Sequence, residues 1–528
     1  MPERRYTTTS GIPLDAWYGA GERPGELPYT RGAYEGMYRT QPWRIFQLSG
    51  FGNPEDEGAR IRFLLEHGET GFIMEHDRNI ADHLYDVDHP EVVARHEDVG
   101  LVGAVIMSVD DFATVLDGID LATVYAHPGG GVVQHGPFAL ACYWTVAQQR
   151  GLSLAGLSGT GQSDFFLTYL GCITKQQVPP TAGLRLNADI VEFCEEHLPH
   201  WVPVSIAGYN GADSGLNAYQ ELGAVFANSI EYLDEAARRG TVPLEALAHR
   251  VGGINLRVGM DLLEDVAKLR AARRLWTRIL AERYGITDPR AARLRIHSLT
   301  AGSAMTYQQP LNNVVRGTVM ALAGVLGGTQ SLGVSGYDEA ISIPSEHAHQ
   351  MSIRIQQILQ NECNLTAVAD PLGGSHYIEA LTDELENRAL AFLADIEGVG
   401  GFVASLDSGW LHAVAAENQA SELRAVETGE KLVVGVNTAI EDESPHIVDG
   451  FRGSSDAWDR GMERLAELRR TRDGRAAVDA LRALDHTCRN GKNVMPAMMD
   501  AVAARVTVGE VGDVFRSAFG DWDVPIRF

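Results

Sequence analysis

Polar side chains follow short apolar runs at four places in the sequence. From Val204 to Gly215, an apolar start gives way to small residues that surround Tyr209, Asn210 and Asp213. The pattern recurs in the stretches Leu154 to Gln162, Leu294 to Gly302 and Gly327 to Gly336. Small residues after a strand let a ligand approach the backbone, and strand ends of parallel α/β folds are where sites collect. A glycine-rich surface loop is the alternative for a single stretch, but the recurrence favours hydrogen-bonding groups at a common site.

Alternating strand and helix candidates must position these groups. Long helices are predicted from Ala218 to Arg239 and from Leu262 to Tyr284, between the strand candidates. The alternation predicts a parallel sheet, and polar strand ends spread over roughly 250 residues favour a closed barrel with one mouth. An open doubly wound sheet is the alternative, although no Gly-x-Gly-x-x-Gly turn opens a strand–helix unit in the right context.

We therefore predict an α/β fold, a (β/α)8 TIM barrel with an N-terminal extended arm and a C-terminal helical region. The expected boundaries are 1–28 for the arm, 29–400 for the barrel and 401–528 for the helical region, which includes one long helix from Ala457 to Leu484. The strand candidates carry Ser, Gly, Thr, Gln and His in their interiors, where a packed barrel centre would hold Val, Ile and Leu. Burying unpartnered polar groups is costly, so we expect a polar ligand to thread the centre.

The composition is that of an ordinary globular protein with a strongly acidic balance. The chain has 528 residues, of which 45% are hydrophobic and 22% charged, and its net charge is −26. That charge argues against a nucleic-acid partner, because phosphate contacts need clustered Lys and Arg. The five cysteines show neither metal spacing nor disulfide density, which fits a reducing compartment. With no signal core and no apolar run of spanning length, we expect a cytoplasmic protein without a membrane or a metal site.

Many short motifs occur in the order found in one known family. They are Tyr29 to Gly32, Pro42-Trp43, Tyr85 to Pro90, Val266 to Arg273, Asn312 to Arg316, Thr329 to Leu332, Asp338 to Ala340, Asp370 to Ser375, Val434 to Asn437, Met495-Pro496 and Thr507 to Glu510. The chain resembles the large, barrel-bearing subunit of adenosylcobalamin-dependent acyl-CoA mutases of the methylmalonyl-CoA mutase superfamily. It looks closest in type to 2-hydroxyisobutyryl-CoA mutase, and the resemblance covers nearly the whole chain from about residue 28.

The resemblance implies a barrel whose centre binds the CoA arm of an acyl-CoA substrate. In the family a second, flavodoxin-like domain binds cobalamin through an Asp-x-His-x-x-Gly motif, and this sequence contains no such motif. We therefore expect no cobalamin-binding domain in this chain, adenosylcobalamin held mainly by a separate small subunit, and a heterotetramer. The implied reaction is an isomerisation in which the thioester carbonyl group migrates between adjacent carbons by a radical path.

Three positions bear on the acyl group. Leu48 stands where the family keeps Tyr for methylmalonyl, Phe for isobutyryl and Ile for 2-hydroxyisobutyryl substrates, so the resemblance favours a hydroxyacyl substrate. Glu75 falls where hydroxyacyl mutases have Asp, and a carboxylate can accept a hydrogen bond from a substrate hydroxyl. Cys172 falls near the Arg that holds the free carboxylate in methylmalonyl enzymes, so methylmalonyl-CoA is disfavoured. Each of the three is also compatible with a structural role.

Further site residues come from the same resemblance. Asn210 replaces a family His near the thioester carbonyl; an amide can still donate a hydrogen bond but cannot act as an acid. The catalytic set is completed by Glu75, Leu48 and Gln162. The substrate-binding residues are Tyr34, Arg44, Gln47, Cys172, Arg295, His297 and Ser298. The cofactor-binding residues are Gly131, Tyr209, Asn210, Asp213, Gln330 and Glu362.

Other interpretations of the sequence stay open. The substrate of the same family could be isobutyryl-CoA or another branched acyl-CoA, or the barrel could be a non-catalytic binding subunit, as the loss of the family His suggests. His76 and His127 are extra histidines near the mouth that could compensate for that loss. The pairs His347 with His349 and His197 with His200 have a spacing found in metal sites, but no acid or thiol completes a site, and we interpret them as surface histidines.

Overall fold

All strand pairings between the named strands are parallel. The computed structural model describes residues 6–171, 176–441 and 450–525. Within these residues the strands are β1 (Arg44–Ile45), β2 (Leu48–Ser49), β3 (Gly71–Met74), β4 (Tyr125–His127), β5 (Ser158–Thr160), β6 (Trp201–Val202), β7 (Ile206–Ala207), β8 (Gly253–Val258), β9 (Arg295–Thr300) and β10 (Ser331–Gly333). Helices separate most of them, so the predicted parallel α/β class is confirmed.

The strands form two five-stranded sheets. One has the order β1-β10-β9-β8-β7 and the other the order β2-β3-β4-β5-β6. The chain passes from one sheet to the other twice over very short distances, at residues 46–47 between β1 and β2 and at residues 203–205 between β6 and β7. Both edge strands of one sheet are therefore joined, through two or three residues, to the edge strands of the other sheet.

The helices lie between the strands and then continue alone to the C-terminus. They are α1 (Met37–Thr40), α2 (Pro54–Glu66), α3 (Arg78–Ala81), α4 (Pro90–Val93), α5 (Val109–Val115), α6 (Gly136–Gln149), α7 (Pro180–His197), α8 (Gly208–Asp213), α9 (Ala218–Arg239), α10 (Leu244–Val251), α11 (Leu262–Tyr284), α12 (Asn312–Leu326), α13 (Glu346–Asn361), α14 (His376–Gly398), α15 (Phe402–Asp407), α16 (Trp410–Thr428), α17 (Ala457–Thr471), α18 (Gly474–Arg489), α19 (Met495–Ala503) and α20 (Val508–Phe519). Among the described residues no helix combines the length and the apolar character needed to cross a membrane.

Local signals explain where the long helices begin and end. The side chains of Asn217 and Gln220 form a capping box at the start of α9, and left-handed Gly240 follows its end. Asp261 caps α11 and left-handed Gly285 follows it. Both helices have the predicted bounds. The single helix predicted from Ala457 to Leu484 is wrong, because α17 ends at Thr471 and a second helix, α18, begins at Gly474. The Asp473 carboxylate caps α18 by accepting hydrogen bonds from backbone N–H groups of its first turn.

The two largest hydrophobic clusters of the described residues flank the sheets. One packs α5, α6, α19 and α20 against β3 to β6 around Phe72, Trp144 and Trp201. The other packs α9, α11 and α14 against β7 to β9 around Leu256 and Trp276. The C-terminal helices thus complete a core of the strand-bearing region, and the domain boundaries at 28 and 400 stay predictions.

Buried charges hold several of these contacts. Asp86, 4% exposed, accepts hydrogen bonds from the Thr507 hydroxyl at 2.7 Å and the Gly509 N–H at 3.0 Å, and it pairs with Arg469 at 3.0 Å. This contact joins two of the short motifs singled out in the sequence and ties the start of α20 to the strand-bearing region. Burial raises the pKa of Asp86 to about 6, which the two hydrogen-bond donors and the charge of Arg469 oppose.

Candidate functional site

A cavity of about 670 Å³ lies against both sheets. Ten of the residues predicted as site residues line it: Tyr34, Arg44, Leu48, Glu75, Gln162, Tyr209, Asn210, Arg295, His297 and Gln330. In β8 and β9 every second residue is only partly buried, which marks the face turned to the cavity. Asn255, Arg295 and His297 belong to that face, so the polar strand interiors line the cavity.

The predicted acyl-group residues lie at neighbouring strands: Leu48 begins β2, and Glu75 directly follows β3. Leu48 pairs with Ile73 in the parallel register of β2 and β3, and the backbone N–H of Glu75 donates to the Ser49 carbonyl at 2.6 Å. The Leu48 side chain is 43% exposed although it is apolar, because it borders the cavity. Val102 adds a further exposed apolar side chain to the lining. The result is an apolar wall with one carboxylate in it.

Glu75 and its neighbour His76 lie on opposite sides of the chain. Glu75 lines the cavity, whereas His76 is 3% exposed and its Nε2 bonds the Pro128 carbonyl at 3.0 Å. Burial and the charge of Asp82 raise the pKa of Glu75 to about 7, against a smaller lowering by Arg78. Burial lowers the pKa of His76 to about 4, so this ring is neutral near pH 7.

Three histidines line the cavity, His127, His200 and His297, and the rings of His127 and His297 are neutral near pH 7. Burial lowers the pKa of His127 to about 4 and, together with the proximity of His127, that of His297 to about 3. The Nδ1 of His127 accepts from the Gly129 N–H at 3.4 Å, so its proton sits on Nε2. His297 Nδ1 lies 2.8 Å from the Ser331 hydroxyl. His127 can donate a hydrogen bond from Nε2 but carries no charge.

The stretch that follows β7 is a helix rather than a loop. Helix α8 carries Tyr209, Asn210 and Asp213. The Asn210 amide donates to the carboxylate of Asp164 at 3.4 Å, and the other Asp164 oxygen accepts the Ala207 N–H at 3.1 Å. Asp164, 1% exposed, thus joins the end of β7 to the amide that borders the cavity.

The last residue of α8, Asp213, is held at the helix end by a guanidinium. The Asp213 carboxylate accepts from Arg257 Nε at 2.7 Å and from the Ser303 hydroxyl at 2.8 Å. Tyr209 accepts the Gly302 N–H at 3.4 Å, and burial followed by the Asp213 charge raises the pKa of its hydroxyl well above the usual value. Asp213 borders Tyr209 without lining the cavity itself.

A second cavity of about 350 Å³ shares Arg44 and Arg295 with the first. Five of its lining residues begin strands: Arg44, Tyr125, Ser158, Trp201 and Arg295. Its lining includes four guanidinium groups, those of Arg44, Arg250, Arg290 and Arg295, and no carboxylate among the described residues. Arg44 stacks 4.2 Å above the Tyr125 ring. The buried Nε of Arg295 has no hydrogen-bond partner in the described part of the chain. In a chain of net charge −26, this cluster is suited to an anion.

Several predicted site residues do not line either cavity. Ser298 is buried on the opposite face of β9, Gln47 is buried between β1 and β2, Gly131 lies beside Leu167, and Glu362 is exposed after α13. Gln330 lines the cavity but uses its amide to bond Ile296 and Gly328. Cys172 lies outside the described residues. The roles assigned to all of these residues stay predictions.

The structure also identifies residues that the sequence interpretation missed. His349 is 3% exposed, so its interpretation as a surface histidine is wrong, whereas His347 is exposed. Its spacing of four and seven residues from Ile353 and Gln356, both buried, places it on the inner face of α13 and could have indicated burial. No local sequence pattern indicated that Asp164 and Arg250 belong to the site, because their partners are distant in sequence.

The matching residues extend over almost the entire chain. A family model described as methylmalonyl-CoA mutase matches residues 4–521. The methylmalonyl-CoA mutase of Escherichia coli is 35% identical over 519 residues, covering 97% of this chain and 70% of that protein. The 2-hydroxyisobutanoyl-CoA mutase large subunit of Aquincola tertiaricarbonis is 33% identical over 541 residues, covering 99% of this chain and 93% of that protein. Among solved structures, the carboxyl transferase domain of Rhizobium etli pyruvate carboxylase matches with a TM-score of 0.25 and 11% identity, over 89% of this chain and 82% of that chain, a likeness too low to carry an argument.

These relatives and the cavity define an enzyme of the isomerase class, a mutase that moves a group within one molecule. The chain belongs to the methylmalonyl-CoA mutase family, as the sequence predicted. That family is one of adenosylcobalamin-dependent acyl-CoA mutases.

Proposed function

We propose that this chain is the large subunit of a coenzyme B12-dependent acyl-CoA mutase that interconverts a 3-hydroxyacyl-CoA and a branched 2-hydroxyacyl-CoA. The observation that carries the proposal is the pairing of aliphatic Leu48 and Ile73 with the carboxylate of Glu75 at one end of the cavity. Aliphatic side chains suit a branched carbon skeleton, and the carboxylate suits a hydroxyl on it. The relative named as a 2-hydroxyisobutanoyl-CoA mutase large subunit supports the same assignment.

We further propose that the two sheets form one (β/α)8 barrel around the cavity. The support is the chain path: β1 and β2 are separated by two residues and lie in different sheets, as do β6 and β7. Counting each pair as one interrupted strand leaves eight strands, in the sequence order of a closed parallel ring.

Within such a barrel, the acyl-CoA runs along the strands. Its phosphates occupy the cavity of guanidinium groups at the strand starts, where Arg295 and Arg44 border both cavities. Its acyl group lies at the opposite end, because Glu75 directly follows β3 and Asn210 lies on the helix that follows β7. A parallel strand is about 3.3 Å long per residue, so the six residues of β9 separate these ends by roughly 20 Å.

The chain's own residues hold and orient the reacting group. Glu75, as a carboxylate, accepts the hydrogen bond of the substrate hydroxyl and fixes which carbon faces the reaction. The Asn210 amide keeps one N–H on Asp164 and offers its second N–H to the thioester carbonyl. His127, neutral with its proton on Nε2, is a second donor bordering the cavity.

The rim of the cavity fits the adenosyl part of the cofactor. Asn255 has a buried Oδ1 without a partner among the described residues and borders the cavity, and Gln162 adds an amide there. With Tyr209 these groups supply acceptors and donors for ribose hydroxyls and a base edge, and Asp213, paired with Arg257, borders Tyr209 outside the cavity. When bound, adenosylcobalamin supplies the carbon radical that starts the rearrangement. We assign the binding of cobalamin to a separate small subunit in a heterotetramer, which the relative named as a large subunit supports.

The decisive experiment is reconstitution with a cobalamin-binding small subunit and adenosylcobalamin. A panel of CoA thioesters, including hydroxylated and unhydroxylated branched acyl groups, is incubated with the complex, and the products are separated by chromatography. We expect rearrangement with a clear preference for a hydroxyacyl-CoA. Preference for isobutyryl-CoA would overturn the substrate assignment, and no rearrangement of any thioester would support a non-catalytic barrel.

The cationic cavity gives a prediction that does not depend on the acyl group. Arg295→Met should raise KM about tenfold for every CoA thioester and leave kcat little changed, because one charged contact to phosphate is lost. The KM of an acyl-pantetheine, which lacks the phosphates of CoA, should not change. Arg424→Met, on the exposed surface of α16, is the matched control. An equal loss with acyl-pantetheine would contradict the placement of the phosphates.

A further inference from the structure

His349 contacts the backbone beneath the proposed acyl pocket. Its Nε2 lies 3.1 Å from the Leu48 carbonyl oxygen in β2, and its Nδ1 lies 3.1 Å from a guanidinium nitrogen of Arg60. Both side chains are 3% exposed. Helices α13 and α2, which carry them, come from opposite ends of the strand-bearing sequence.

These two contacts define the protonation of the ring. A guanidinium can only donate and a carbonyl can only accept, so Nδ1 must be bare and Nε2 must carry the proton. Burial and the charge of Arg60 lower the pKa of His349 to about 3, against a smaller opposing effect of its bond to Leu48, which agrees with a permanently neutral ring. The neutral imidazole therefore joins the Arg60 guanidinium to the backbone of β2 through two hydrogen bonds.

Arg60 is itself fixed from several sides. Its guanidinium lies 4.8 Å from the Phe51 ring and 5.2 Å from the Phe451 ring, and it donates to the Pro344 carbonyl at 3.1 Å. Phe51 follows β2 by two residues. The Arg60–His349 pair thus holds the chain on both sides of Ser49, at Leu48 and at Phe51.

The segment from Leu48 to Phe51, which this pair holds, adjoins Glu75. The Ser49 hydroxyl donates to the buried carboxylate of Glu57 at 3.1 Å, and the Ser49 carbonyl accepts the Glu75 N–H at 2.6 Å. A shift of β2 would therefore move the aliphatic wall relative to the carboxylate. A misplacement of about 1 Å at a reacting group can cost two orders of magnitude in rate.

We propose that His349, held by Arg60, is a positioning residue that fixes β2 and thereby sets the acyl-group preference of the cavity. The proposal rests on the proposed function in taking the Leu48–Glu75 end as the acyl end. His349 touches no substrate; it acts through the Leu48 backbone. The site residues that the family resemblance supplies include neither His349 nor Arg60.

Two substitutions separate positioning from packing. His349→Gln keeps a donor for Leu48 and an acceptor for Arg60, whereas His349→Leu keeps a similar volume and removes both. The measured quantity is the ratio of kcat/KM for 2-hydroxyisobutyryl-CoA to that for isobutyryl-CoA, in the complex reconstituted with the small subunit and adenosylcobalamin. The same ratio of binding constants is measured calorimetrically on the full chain without cofactor. His347→Leu, two residues away and exposed, is the matched control.

We expect His349→Leu to lower both ratios about five- to tenfold, and His349→Gln and His347→Leu to keep them within about twofold. A His349→Leu protein with a lower melting temperature and unchanged ratios would overturn the proposal, because His349 would then serve packing alone. Loss of the ratio in His349→Gln as well would also overturn it. If the wild type prefers another acyl group, the proposed substrate is wrong. The positioning role of His349 is then tested in the same variants with the ratio of kcat/KM for the preferred acyl-CoA to that for its nearest analogue.

Discussion

Glu75→Gln should reduce kcat/KM for the preferred hydroxyacyl-CoA by roughly 10- to 150-fold, the equivalent of about 1.5–3 kcal/mol for a hydrogen bond to a charged group. The amide keeps the size of the side chain and an acceptor oxygen but loses the charge. Rearrangement of the unhydroxylated analogue should stay the same or improve, since no hydroxyl bond is lost. Kinetics of both thioesters with the reconstituted complex measure the effect.

The pH profile gives the same residue a second test. Because burial raises the pKa of Glu75 to about 7, its carboxylate forms only as the pH rises through that value. In the wild type, kcat/KM for the hydroxyacyl-CoA should therefore rise with pH through about 7. Asp164 also has a pKa raised to about 7 by burial. Its contribution persists in Glu75→Gln, so the difference between the two profiles isolates Glu75.

Glu66→Gln is the matched control, because Glu66 is an exposed carboxylate at the end of α2. It should change neither the rate nor the pH profile. Hydroxyacyl turnover that survives undiminished in Glu75→Gln would remove Glu75 from the substrate site. An equal loss for the hydroxylated and unhydroxylated thioesters would assign it a general structural role instead.

The parts of the fold that the sequence predicts depend on local signals. The ends of α9 and α11 follow from Asn217, Gly240, Asp261 and Gly285, each of which acts within one helical turn. The polar residues of the strand interiors face a cavity, because unpartnered buried hydrogen-bonding groups are too costly to leave in a packed centre, and the polar ligand expected from them stays a prediction. The helix predicted across Asp473 is wrong because the Asp473 side chain caps a new helix, α18, at that position.

The parts that the sequence could not predict depend on distant partners. The hydrogen-bond partners of His349 could not be predicted, because Arg60 and the Leu48 carbonyl are about 300 positions away in the chain. The guanidinium cavity likewise gathers side chains from strand starts that are far apart in sequence. Motif similarity supplied candidate site residues, but their orientation needed the register of the strands: Ser298 and His297 are adjacent in β9 and face opposite sides.

The motif from Val266 to Arg273 gives the largest expected effect on stability. Helix α11 buries Lys268, Arg270 and Arg273 at 2%, 1% and 1% exposure, which an amphipathic pattern does not predict. The Lys268 ammonium lies 2.8 Å from Glu221 and 2.8 Å from Asp265, and it donates to the Arg257 carbonyl at 2.5 Å. Burial alone would lower the pKa of Lys268, but the two carboxylates raise it above the usual value.

Lys268→Met should destabilise the folded chain by about 3–5 kcal/mol, because it removes the ammonium that pairs directly with two buried carboxylates. Those carboxylates also accept the Arg257 and Gly259 N–H groups at the end of β8, so the loss reaches the wall of the cavity. The midpoint of urea unfolding measures the change. Lys431→Met, in an exposed pair with Glu422, is the control and should cost less than about 1 kcal/mol.

The charge balance, rather than the lost side chain, should decide the size of this effect. Combining Lys268→Met with Glu221→Gln and Asp265→Asn removes all three charges and keeps their approximate shapes. This triple variant should recover part of the lost stability, because no buried charge is then left unpaired. If the triple variant is less stable than Lys268→Met alone, the carboxylates stabilise β8 through their backbone hydrogen bonds independently of the ammonium. The attribution of the stability loss to unpaired charge would then be wrong.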